Sequence, residues 1–205
     1  MPNFFQPVTI VALGPLTNLA EALLATPSLA DKIARIVIMG GALRVAGNIR
    51  EVNPRIENSF AEWNIFCDPY AADVVFQSGA LITLVPLDAT NQAPLGDAFV
   101  QRLATGPVTP ASQFVLRAIR RIQPLLRGQA FYLWDPLAAA IAVQEGIAVR
   151  EQVRLRVRQE PGPELGRVIE DPKGRLIDVC ITIDRAAFEC EYLQGMAHAA
   201  GRQDY

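Results

Sequence analysis

Histidine is almost absent from this sequence: it occurs once, as His198. That residue falls in a stretch that reads as a closing helix, far from any strand end, which keeps it out of the catalytic candidates. Cysteine is scarce too. Cys67, Cys180 and Cys190 are odd in number and scattered, so they make neither a disulfide framework nor a metal-ligand spacing. They are expected to be buried or neutral, and a reducing cytoplasm is the simplest compartment. The formal net charge is only −2, so no electrostatic footprint for nucleic acid or an anionic membrane is visible. No apolar run approaches the roughly 20 residues of a membrane span. Residues 1–7 hold neither a basic region nor a long apolar core, so no signal peptide is expected there. Internal repeats and low-complexity tracts are missing.

What is present is ordinary for a globular α/β protein: 205 residues, 51% hydrophobic and 20% charged. That length suffices for one domain with a real core, and residues 1–205 read as a single domain. Residues 8–13 are a nearly continuous apolar run, predicted as a strand buried on both faces. Gly14-Pro15 ends it, and Leu19, Ala20, Leu23 and Leu24 follow at helical spacing. Residues 33–39 make a second apolar strand, which completes a βαβ unit. Residues 42–67 are polar and irregular. Asp68-Pro69 opens a helix, with aspartate as N-cap and proline at the first helical position. Residues 81–87 are a third strand. Helical patterns follow at 96–104, 110–122 and 135–145, the last behind another Asp-Pro pair. Residues 153–158 alternate strictly, as a strand with one wet face does. Residues 176–183 are a further strand, and 184–199 a closing helix. The prediction is α/β: a mainly parallel central sheet with flanking helices and a small antiparallel C-terminal addition.

Ligands of open parallel sheets bind beyond the C-terminal strand ends. Here those are Leu13-Gly14, Met39-Gly40-Gly41 and Leu87-Asp88. The loop 42–67 leaves the second of them and carries Asn48, Asn53, Asn58, Glu62 and Asn64. Glu62 and Asn64 are two apart, so in an extended segment they point the same way. A carboxylate with amides suits a diol such as ribose, because the carboxylate accepts from hydroxyls and the amide both donates and accepts. Turn-forming asparagines in a solvated loop explain the same pattern. Trp134-Asp135-Pro136 also has two readings: a plain helix start, as at Asp68-Pro69, or a hard oxygen ligand for calcium. Arg117, Arg120, Arg121 and Arg127 read as a solvated helix face, and Asp88 as a group that caps or orients a loop.

Several blocks together resemble the nucleoside hydrolases. They are Val11-Ala12-Leu13-Gly14-Pro15-Leu16-Thr17-Asn18, Ile36-Val37-Ile38-Met39-Gly40-Gly41, Gly47-Asn48, Ala61-Glu62-Trp63-Asn64-Ile65, Asp68-Pro69, Val85-Pro86-Leu87-Asp88 and Asp135-Pro136-Leu137-Ala138. Each is weak alone, but their order is specific. The resemblance implies hydrolysis of the N-glycosidic bond of ribonucleosides to free base and ribose. It implies a calcium ion, with Asp135 as a side-chain ligand and Leu13 as a backbone-carbonyl ligand. Asn48, Glu62 and Asn64 would bind the ribose hydroxyls, and Met39 and Trp63 would line the sugar pocket. The stretch from Asn48 to Glu62 is longer than in the commoner members, so this loop carries an insertion. Trp134 stands where many members have histidine, which looks like the purine-preferring branch. A small-molecule nucleoside is the expected partner, and the family implies a homo-oligomer.

The sequence departs from the family in one respect. Members begin with an Asp-x-Asp-x-x-x-Asp-Asp motif, which supplies further calcium ligands and the general base, and no two aspartates here reproduce it. The chain therefore resembles the C-terminal portion of a nucleoside hydrolase. No catalytic base is expected in it, and its first strand is expected to lack a neighbour. The alternative is a non-catalytic nucleoside- or ribose-binding fragment, or a subunit completed by another chain.

Overall fold

Strands β1 (Val8–Ala12), β2 (Ile33–Met39), β3 (Ile82–Val85), β4 (Ala148–Val157), β5 (Val168–Glu170) and β6 (Arg175–Ile183) form one sheet in the order β1-β2-β3-β6-β4-β5. The computed structural model describes residues 6–125 and 130–198. β1, β2, β3 and β6 run parallel, whereas β4 is antiparallel to both β6 and β5. This is the predicted parallel sheet with its antiparallel addition. The helices are α1 (Thr17–Ala25), α2 (Ile49–Val52), α3 (Trp63–Cys67), α4 (Pro69–Gln77), α5 (Leu87–Thr90), α6 (Asp97–Thr105), α7 (Pro110–Ile122), α8 (Trp134–Val143) and α9 (Arg185–His198).

Alternate residues of a strand point to opposite faces. Ile36, Ile38, Ile82, Leu84 and Ile177 therefore meet Leu23 of α1 and Val75 and Phe76 of α4 on one side. Val37, Met39 and Val85 meet Leu137 and Ile141 of α8, Phe99 of α6 and Phe188 of α9 on the other. Covering both faces of β2 and β3 is what makes them read as continuous apolar runs. Asp73 of α4 fastens one layer to the sheet. It is 4% exposed and accepts from Arg156 Nε and Nη2, from the Val157 amide and from Gln159 Nε2.

Several elements differ from the sequence pattern. β1 is not buried on both faces, since Val8 is 56% and Val11 38% exposed. It pairs only with β2, so among the described residues it is an edge strand, with solvent where a second neighbour would lie. The third strand ends at Val85, and residues 87–90 coil into α5. Apolar residues in a row do not distinguish a strand end from a buried helical turn. β4 begins at Ala148, five residues early, because Arg150 and Glu151 conceal its alternation. The loop 42–67 contains two short helices, α2 and α3. Cys180 is buried, and burial pushes its thiol up to about 12. Cys67 and Cys190 are exposed, and desolvation raises the Cys67 thiol, which favours its neutral form. Arg117, Arg120 and Arg121 are exposed on α7, and Arg127 lies outside the described residues.

Candidate functional site

β1 and β2 end side by side, Ala12 opposite Ile38, so Leu13 and Met39 stand together at the C-terminal edge of the sheet. A cavity of about 360 Å³ opens there, lined by Leu13, Met39, Asn48, Val52, Glu62, Trp63, Asn64, Trp134 and Asp135. Eight of these nine are the candidates read from the sequence. Val52 was missed, because nothing in its local pattern distinguishes it from other exposed loop residues.

Glu62 sits at the floor, 2% exposed. It is the N-cap of α3: Oε1 accepts from the Asn64 amide at 2.9 Å, and Oε2 from the Ile65 amide at 3.2 Å. Oε2 also accepts from the Gly41 amide at 3.0 Å. The expected extended segment is therefore a helix start, and capping, not strand alternation, brings Glu62 and Asn64 together. Desolvation raises the Glu62 carboxyl above the ordinary glutamate range, against the three amides that favour its charged form. The Asn64 side chain donates to the Met39 carbonyl at 3.1 Å and stands 3.4 Å from Met39 Sδ. Asn48 Oδ1 accepts from the Trp63 amide at 2.9 Å, which binds the two halves of the loop.

Two other asparagines of the loop lie outside the cavity. Asn53 closes a local turn by accepting from the Arg55 amide. Asn58 is 1% exposed, accepts from the Phe60 and Ala61 amides and donates to the Leu165 carbonyl. It clamps the loop to the segment between β4 and β5. Asp88 holds the loop's other root by accepting from the Leu43 and Arg44 amides, as anticipated. Gly47 is required by close approach: a Cβ there would lie 2.1 Å from the Ala61 carbonyl oxygen.

The two Asp-Pro pairs behave differently. Asp68 caps α4, accepting from the Ala71 amide at 3.0 Å and from the Thr17 hydroxyl at 2.6 Å. Asp135 does not cap α8. The helix begins one residue earlier, at Trp134, with Leu133 at the cap position. The Asp135 carboxylate accepts no hydrogen bond from any described residue and lines the cavity, where desolvation pushes its carboxyl up. Trp134 is held by its neighbours, with ring centroids 4.8 Å from Phe131 and 5.7 Å from Tyr132.

A larger cavity of about 490 Å³ lies near the opposite ends of the strands. Its charged groups are committed: Arg35 and Arg150 to Glu145, and Asp178 to the Gln152 amide. Of these two, chemistry points to the smaller one, which offers an uncommitted carboxylate beside amides, the exposed Trp63 and the half-buried Trp134.

The family model for inosine-uridine preferring nucleoside hydrolases matches residues 2–190. The chain belongs to this nucleoside hydrolase family. A pyrimidine-specific ribonucleoside hydrolase, RihA, of Shewanella oneidensis is 48% identical over 102 residues, which are 50% of this chain and 29% of that protein. The inosine-uridine preferring nucleoside hydrolase of Bacillus anthracis superposes with a TM-score of 0.82 at 32% identity, over 95% of this chain and 61% of that one. The purine-preferring ribonucleoside hydrolase of Gardnerella vaginalis does so with a TM-score of 0.75 at 32% identity, over 94% and 61%. This nucleoside hydrolase chain thus spans about three-fifths of the length of the solved relatives it matches.

The family implies calcium. A hard cation takes about six to eight oxygen ligands. Among the described residues the candidates in the cavity are the Asp135 carboxylate, the Asn64 side-chain oxygen and the Leu13 carbonyl, since amides are bound to the Glu62 oxygens, and these are fewer than the ion takes. No group of three histidine, cysteine, aspartate or glutamate side chains is placed to hold an ion among those residues. The residues present do not by themselves fit the ion. Titration calorimetry is expected to find no calcium binding tighter than about millimolar, the weak end of protein sites. A micromolar constant would overturn this.

Proposed function

We propose that this chain is the nucleoside-binding portion of a ribonucleoside hydrolase acting on the N-glycosidic bond, with a preference for purines. The observation that carries the reading is Asp135. It lies in an Asp-Pro pair whose counterpart caps a helix, yet its own carboxylate accepts no hydrogen bond among the described residues and lines a cavity. A ribose diol would donate to Asp135 and meet the side chains of Asn48 and Asn64, with Glu62 holding the Asn64 backbone and the Ala61 carbonyl that of Asn48. The base would lie toward Trp63, which is 41% exposed, and Trp134.

The described residues bind and orient, but they hold no second uncommitted carboxylate in the cavity to take a proton from water. Hydrolysis therefore requires a group from outside them. That single carboxylate also favours the second reading, a non-catalytic nucleoside- or ribose-binding role. Release of free ribose from inosine when this chain is combined with the part of the Bacillus anthracis relative that it does not cover separates the two: ribose appears under the first reading and not under the second. We place the protein in the cytoplasm as a homo-oligomer. Among the described residues no helix is long and apolar enough to cross a membrane.

The purine preference rests on Trp134, whose face is larger than a pyrimidine needs. Trp134→Ala is expected to weaken inosine binding by between about tenfold and a hundredfold, the worth of one base stacked on an aromatic ring. Uridine should lose far less. The RihA relative is named for pyrimidines and the Gardnerella one for purines, so both nucleosides belong in the assay. Equal losses together with a lowered melting temperature would make Trp134 structural, through its contacts with Phe131 and Tyr132, and end the purine assignment.

A further inference from the structure

Residues 49–57 leave the body of the protein and return to it through one narrow neck. The Gly47 amide donates to the Ser59 carbonyl at 2.8 Å, and the Asn48 amide to the Ala61 carbonyl at 3.1 Å. Between these feet the loop makes its own backbone turns. The Asn53 amide donates to Ile49, Ile56 to Asn53, and Asn58 to Ile56. Ile49 is fully buried and pins one foot, and Asn58, 1% exposed, pins the other. A compact loop with joined ends and its own internal turns is an Ω-loop, a type often used for function. Its neck is the same backbone pairing that positions Asn48 and Trp63.

Val52 ends α2 on this loop. It is 55% exposed, and single exposed valines are common enough to need no explanation. Its location is what distinguishes it. It lines the cavity together with Trp63 and Trp134, the only two tryptophans of the chain. The polar lining, by contrast, includes Glu62 and Asn64, which are 2% and 9% exposed and form the floor. The cavity thus has a polar floor suited to a sugar, and its apolar wall includes the branched side chain of Val52, whose χ1 is stiff.

We propose that Val52 is a specificity-determining contact: the 49–57 loop carries it to the cavity, where it encloses the base of a bound nucleoside against Trp63 and Trp134. This rests on the ribonucleoside reading above. A two-ring base reaches farther along the wall than a one-ring base. Val52 therefore discriminates purine from pyrimidine, while the sugar never touches it.

The test measures binding of inosine, uridine and D-ribose by titration calorimetry. Tryptophan emission gives a second readout, because both tryptophans line this cavity and the signal reports on it alone. The variants are Val52→Asp and the similarly shaped Val52→Thr, with melting temperatures as a check that each folds. Val52→Asp is expected to weaken inosine roughly 5–20-fold and Val52→Thr about threefold, from the loss of apolar contact. Uridine should change less, and ribose not at all. Folded variants that bind inosine like the parent chain, or that lose ribose as strongly as inosine, overturn the role of Val52 and leave the ribonucleoside reading standing. Failure of the parent chain to bind either nucleoside removes that reading, and the inference with it.

Discussion

Glu62→Ala is expected to destabilise the protein by about 3–6 kcal/mol and to abolish ligand binding at the cavity. Three buried amides, those of Gly41, Asn64 and Ile65, end on this one carboxylate. A hydrogen bond to a charged group contributes about 1.5–3 kcal/mol, and a buried donor left without a partner costs about 1–3 kcal/mol. Total stability is commonly about 5–15 kcal/mol, so the loss is a large part of it. Glu62→Gln separates charge from capping. One amide oxygen can keep the Gly41 and Ile65 donors, but the amide nitrogen then faces the Asn64 donor, so a smaller loss of about 1–3 kcal/mol is expected. Urea denaturation of both variants checks the order. If Glu62→Ala melts like the parent chain, the cap is dispensable and the account of the cavity floor fails.

Arg156→Ala should cost about 1–3 kcal/mol, because Asp73 loses two charge-assisted hydrogen bonds but keeps those from the Val157 amide and Gln159. Asp73 is the buried partner, at 4% exposure, whereas the Arg156 side chain is 37% exposed. The asymmetry has a consequence for the converse variant. Asp73→Ala removes all four hydrogen bonds and leaves the buried Val157 amide without its partner, so it should cost more than Arg156→Ala, about 3–5 kcal/mol. Chemical denaturation of the two single variants and the double variant tests this. Strictly additive losses would show that the pair is not coupled. Neither variant touches the cavity, so nucleoside binding by the folded fraction should be unchanged.

The contrast between Asp68 and Asp135 shows how far local sequence reaches. Both precede proline, and both are equally good helix starts by pattern. Asp68 caps its helix, and Asp135 does not. The choice depends on where the Leu133 amide goes. It donates to the Ala93 carbonyl, and the bridge between Pro94 and Tyr132 fixes the approach to α8 one residue early. Those partners are some 40 residues away in the chain, so no window around the Asp-Pro pair contains them.

Glu62 and Asn64 make the same point from the other side. The expectation that they converge was right, but the alternation offered for it was wrong, because α3 begins at Trp63. Val52 had no sequence signal at all. Its loop reaches the cavity through pairings at Gly47 and Asn48 with Ser59 and Ala61, across a gap whose path the chain does not spell out.

The sequence by itself determined the class of the protein. The apolar runs within 33–39 and 82–85, separated by helical spacing, read as parallel strands, because a sheet covered on both faces removes such runs from water. The ordered blocks around Leu13, Met39, Glu62 and Asp135 selected the family and eight of the nine cavity residues. Only the tertiary structure decided that, among the described residues, β1 is an edge strand and Asp135 is unpaired while Glu62 is spent on three amides, and that Val52 joins the cavity. Each of these depends on which backbone groups find partners far along the chain, and hydrogen-bond partners of that kind are set by packing, not by neighbouring residues.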